Sequence, residues 1–207
     1  MNDQMQTLKD DIAFMRALAQ EGQQTPPLGG AILALAGGVF GLASIAQWAV
    51  LSGVLRVPPV WLMGIWIVSF VVFMAGLFLL KARIGAKPGA HSPANKANGA
   101  VWQGIGFAIF FAFAALAVAS WQTNDIYLVS FAPSIILLFY GVGWTLGGAM
   151  SGQRWMRYTA YACFAAAVGV AFLIKSPVQY LAYAGCLFAL ATVPGVLLMR
   201  REPSDIV

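Results

Sequence analysis

The sequence predicts an all-α polytopic membrane protein: six transmembrane helices in one bundle, preceded by a cytoplasmic amphipathic helix. Three observations carry that expectation. Hydrophobic residues make up 60% of the chain and charged residues only 9%, against about 25% charged in soluble domains. The apolar residues come in runs long enough, at about 1.5 Å per helical residue, to cross a bilayer core of about 30 Å. The runs do not alternate over roughly ten residues, as strands of a membrane β-barrel would.

Residues 1–28 form the first unit, a helix and linker. They lack the basic start and early apolar run of an ordinary cleaved signal peptide. Met5, Leu8, Ile12, Met15 and Ala19 recur at helical spacing, and Phe14 and Leu18 widen the stripe. Thr7 and Asp10 suit a capping box and Gly22 a stop, so the spacing predicts a helix over about 3–21. Pro26 and Pro27 then break the chain.

Six spans follow over 29–199. The first, 29–51, carries Gly30, Ala34, Gly37, Gly41 and Ser44 on one stripe. Small residues let backbones approach in lipid, where no hydrophobic force draws helices together. The second is 60–80. Residues 81–99, rich in Gly, Pro, Ala, Asn and Lys, read as the longest loop and a mobile one. The third span is 100–120. The fourth, 126–150, is the richest in small and polar residues: Ser130, Ser134, Gly141, Thr145 and Gly148 are expected on one face. Tyr140 lies near its middle, and Pro133 is expected to interrupt its ladder and free the carbonyl of Val129. The fifth is 158–174 and the sixth 178–199, with a cytoplasmic tail over 200–207.

The basic residues set the orientation. Lys9, Arg16, Lys81, Arg83, Lys87, Lys96, Arg154, Arg157, Arg200 and Arg201 fall on the side of the termini, ten in all; Arg56 and Lys175 fall opposite. That bias predicts cytoplasmic termini in a cell membrane, with a bacterial inner membrane the expected location. Trp48, Trp61, Trp121, Tyr127 and Tyr180 cluster at the outer ends and Trp102, Trp144, Trp155 and Tyr158 at the inner ends, as two interfacial belts. The even spans start alike, at Pro59-Val60-Trp61, Asp125-Ile126-Tyr127 and Pro177-Val178-Gln179. Recurring interfacial residues explain that likeness more simply than three repeated hairpins.

Chemistry is scarce. No Asp, Glu, Lys, Arg or His lies inside a predicted span, and proton relays and most ion-coupled transporters use such groups. The single histidine, His91, falls in the 81–99 loop. A zinc protease motif needs more than one. Cys163 and Cys186 read as buried small hydrophobes, too far apart in depth to pair. No catalytic residue, metal site or cofactor is expected. The net charge of +5 belongs to span ends, so nucleic acid is not an expected partner.

Two features remain for function. Ser130, Ser134, Tyr140 and Thr145, joined by Gln47 and Thr192, could line a cavity. Interhelical packing, with the serines bonded back to their own helix, is the simpler reading. The other feature is the apolar stripe of Leu8, Ile12, Met15 and Leu18. Residues 1–28 carry two basic against four acidic side chains, a net of −2, so an anionic lipid surface would repel them. Protein is the expected cover, the chain's own bundle or a cytoplasmic partner. The expected function is thus a non-enzymatic, regulatory or accessory membrane protein. The alternative is a small permease or channel for an uncharged or lipid-like solute. The bilayer is the one certain partner under this reading; an oligomer is compatible with it.

Overall fold

A computed structural model describes Ile12 and residues 27–202. Among these residues the fold is all-α with six helices from Gly30 to Met199, five of them long and apolar enough to cross a membrane. They are α1 (Gly30–Leu51), α2 (Trp61–Gly85), α3 (Pro93–Thr123), α4 (Ala132–Ser151), α5 (Arg154–Ala171) and α6 (Val178–Met199). The apolar stretch of α4 is extended by a 3-10 turn, Ile126–Phe131. The five candidate spans point to a membrane location and to contact with lipid. The helix α5 is not among them, since its 18 residues open with Arg154 and Arg157.

The helices α1, α4, α5 and α6 form the centre. One core cluster joins Leu33, Tyr140, Trp144, Met156, Ala160, Cys163, Ala191 and Leu198. A second joins Leu137, Ala167, Val170, Tyr183 and Leu187. The stripe expected on α1 is real and faces α6. Gly30, Gly37, Gly41 and Ser44 are buried. A Cβ at Gly37 would lie 2.7 Å from Thr192 N and 2.9 Å from Leu187 O, and one at Gly195 only 2.5 Å from Ala34 N. The two backbones meet so closely that a Cβ at either glycine would push them apart. On α5 the buried residues Met156, Ala160, Cys163, Ala167 and Val170 repeat at helical spacing against α4. Phe164 fills the space that Gly141 leaves.

The helices α2 and α3 flank this centre. The first packs on α1 and the second on α4, and they scarcely touch each other. Among the described residues none of α2 is buried. Met63, Ile67, Phe70, Phe78 and Leu79 of α2 and Phe107, Phe111 and Phe113 of α3 are exposed, as suits faces turned to lipid.

Several expectations need correction. The loop expected over 81–99 is mostly helix: α2 runs on to Gly85 and α3 starts at Pro93. Ser92 caps α3, its Oγ accepting the N–H of Asn95 at 3.2 Å, and Pro93 takes the first helical position. Both are ordinary helix-start residues, hidden by the compositional look of a linker. Pro133 does not interrupt a helix. It sits in the first turn of α4, where its missing N–H breaks no bond, and Val129 O accepts from the Ala132 N–H. Trp144 is not an interfacial residue but a core residue, 1% exposed. The helix α6 is irregular, with a π segment over Phe188–Thr192.

The expected N-terminal helix lies outside the described residues, and with it Leu8, Met15 and Leu18. Ile12 is helical and exposed.

Candidate functional site

The face of α4 named from the sequence is built as follows. Ser134, Tyr140 and Gly141 are buried, with Leu137, Trp144 and Gly148 on the same side. Thr145 is not with them: it is exposed, and its hydroxyl donates to the carbonyl of Gly141 at 2.8 Å. Helical rotation carries it past the buried edge, because that stripe repeats at 134, 137, 141, 144 and 148. Ser130 is half-buried in the 3-10 turn. Its carbonyl accepts from Gln179 Nε2 at 2.7 Å.

Tyr140 packs edge-on to Trp102 at 5.7 Å, and Trp102 packs edge-on to Trp144 at 5.6 Å. Trp155 adds a tilted contact to Trp144 at 5.7 Å. Aromatic rings thus fill the space beside the C-terminal half of α4. Gln47 and Thr192 do not join this face. Gln47 accepts from the Trp66 indole at 2.8 Å, on the α1–α2 side, and Thr192 faces Gly37 of α1. The hydroxyl of Ser134 is buried without a hydrogen-bond partner among the described residues.

Among the described residues the densest polar arrangement lies at the end of the bundle where α1 starts and α6 finishes, and it centres on Glu202. Gly29 holds a left-handed conformation, φ 109°, which favours glycine. The turn presents two successive amides to one acceptor. Gly29 N–H and Gly30 N–H donate to Glu202 Oε1 at 3.0 and 2.9 Å. Lys87 Nζ, from the α2–α3 turn, meets Oε2 at 2.8 Å. The Glu202 side chain is 1% exposed. A carboxylate so enclosed needs its charge met, and here a helix N-terminus and an ammonium meet it together.

The next residue back is held as firmly. Leu28 N–H donates to Asn95 Oδ1 at 3.0 Å, and Leu28 O accepts from Asn98 Nδ2 at 3.4 Å. Asn95 also donates to Gly89 O at 3.0 Å, which ties the α2–α3 turn to the same point. A shallow cleft beside these residues, lined by Pro27, Asn95, Asn98, Gly147 and Ser151, has about 10 Å³ of room, space for about one water.

Glu202 and Asn95 went unread in the sequence, and Lys87 was read only as a charge that sets orientation, because their partners are 67 to 173 positions away. The nearest available clue was the Gly29-Gly30 pair at a helix start, an anion-accepting feature. At the opposite end Lys175 lies 5.0 Å over the Tyr127 ring.

This is a helical protein with five candidate membrane spans and a polar clasp where the start of α1 meets the residues after α6. No protein-family model, characterised protein or solved structure matches the chain.

Proposed function

We propose that this chain is a six-span integral membrane protein of regulatory or accessory role, without catalytic activity, which acts through the end that carries its termini. The sixth crossing falls to α5. Its 18 residues span about 27 Å at 1.5 Å each, and Arg154 and Arg157 can extend their charges to the interface. Ten of twelve basic residues then lie on the terminal side, which favours cytoplasmic termini in a bacterial inner membrane.

The observation that carries the reading is the fastening of residues 28–30. The N-terminal segment joins the bundle at a point gripped by Asn95, Asn98 and Glu202. A segment with an apolar stripe gains from a fixed root, because its stripe then meets its target in one geometry. Leu8, Ile12, Met15 and Leu18 would supply that contact, to the bundle itself or to a cytoplasmic partner.

Deleting residues 1–22 tests this. The spans should still insert, since each satisfies its backbone within lipid. The expected result is a folded bundle that loses either stability or a co-purifying partner, with the double change Ile12→Glu and Met15→Glu doing the same. A variant with unaltered stability, partners and cellular phenotype would reject the proposal.

One observation keeps a permease reading as the alternative. The unpartnered Ser134 hydroxyl would suit an uncharged polar solute passing beside Tyr140. Thr145, exposed and self-bonded, would have no part in such a path unless α4 turned.

A further inference from the structure

We infer that Glu202 is a latch that couples the two ends of the chain: while its carboxylate is seated, the root of the N-terminal segment is fixed, and withdrawing the C-terminal residues releases it. The inference rests on the proposed role of the N-terminal segment only for its biological use; the coupling itself rests on geometry.

Three features of the contact make it a latch. The first is reach. Glu202 closes on amides 172 and 173 positions away in the chain, at 2.9 and 3.0 Å, and on Lys87 at 2.8 Å. One side chain therefore joins the start of α1, the α2–α3 turn and the end of α6.

The second is that its states are discrete. A buried carboxylate is tolerated only with its donors in place. Positions between the seated one and open water strip the carboxylate of both donors and solvent, so they are unfavourable.

The third is that release disturbs little. Glu202 N–H bonds to Leu198 O at 3.1 Å, and Arg201 N–H to the same carbonyl at 2.8 Å. Unwinding that single turn withdraws the carboxylate while Leu198 stays in the core. The turn is also accessible: Arg200 and Arg201 are exposed, and Arg201 reaches Gln153 at 3.3 Å across the surface. A partner that takes hold of the C-terminal residues thus loosens the N-terminal root. By linkage, a partner that pulls on the N-terminal segment loosens the C-terminal turn equally.

Hydrogen–deuterium exchange on the full-length protein in nanodiscs tests the coupling. Glu202→Ala, and a stop after Arg201, should each raise exchange of the 27–33 peptide at least tenfold. Lys87→Met should raise it severalfold. A stop after Glu202, which removes only 203–207, should leave it unchanged. Peptides from α4 and α5 should not change in any of these. Unaltered exchange at 27–33 in Glu202→Ala overturns the latch. So does a rise spread over the whole bundle, which would make Glu202 a fold requirement and not a releasable contact. The measurement needs no partner and no activity, so its failure leaves the deletion of 1–22 to be judged by its own result.

Discussion

The indole nitrogen of Trp144 donates to the carbonyl oxygen of Leu190 at 2.9 Å, an oxygen four residues before Pro194. In a regular α-helix Leu190 O would accept from the N–H four residues on. That residue is proline and has no N–H. The carbonyl sits in the π segment of α6, where the spacing is already broken. The side chain that satisfies it comes from α4, which joins two core helices by a bond that local sequence would never propose.

Trp144→Phe should therefore destabilise the bundle by about 1–3 kcal/mol for the lost buried hydrogen bond, with a further loss for the smaller ring. Cys186, expected to be buried, is only half-buried, so thermal unfolding is followed in a Cys186→Ala background through the thiol of Cys163, which is fully buried and should react with a fluorogenic maleimide only on opening. Pro194→Ala supplies the missing N–H. In that background Trp144→Phe should cost measurably less, so the two changes form a non-additive pair. Strict additivity would show that Leu190 does not depend on the indole.

Gly37 and Gly38 are neighbours with opposite expectations. A Cβ at Gly37 meets backbone atoms of α6 at 2.7 and 2.9 Å, whereas one at Gly38 meets nothing within 4 Å. Gly37→Ala should lower stability by about 1–3 kcal/mol, and Gly37→Leu or Gly41→Leu by more. Gly38→Ala should be neutral or stabilising by up to about 1 kcal/mol, from helix propensity. Val39→Leu should be tolerated. If Gly37→Ala unfolds at the parent's temperature, α1 and α6 are not in backbone contact there.

The all-α class, the long apolar helices and the tight face of α1 were legible because each is a local pattern. A run of apolar residues fixes a helix, and Gly30, Gly37 and Gly41 fix a face, with no knowledge of a partner. The α4 face was legible only in part. Ser134, Gly141 and Gly148 follow the buried stripe, but Thr145 is four residues from Gly141 and rotates off it. The Glu202 clasp was not legible, since its groups are brought together only when α1, the α2–α3 turn and α6 assemble. The same holds for the turn at 86–92: its composition resembles a mobile linker, and only the bonds of Lys87, Gly89 and Asn95 tie it down.

The last prediction concerns topology. His91 lies in the α2–α3 turn, close in sequence to Lys87 and Asn95, which tie that turn to the start of α1. Val54 lies beyond the far end of α1, after 22 helical residues, or about 33 Å along the axis at 1.5 Å each. Both positions are exposed. The two sites therefore belong to opposite ends of the bundle whichever way it is inserted. Charge chooses between the two insertions: the His91 end holds ten basic residues by the span assignment and the Val54 end two, so the His91 end should be cytoplasmic. Single cysteines at 91 and at 54, with Cys163 and Cys186 replaced by alanine, make this measurable. An impermeant thiol reagent applied to intact cells should label position 54 and spare position 91 until the membrane is opened. The reverse pattern would invert the protein, put the N-terminal segment outside the cell and end the case for a cytoplasmic partner. Full labelling of both before opening would mean that an even number of crossings separates 54 from 91, which would undo the assignment of α2 as a span.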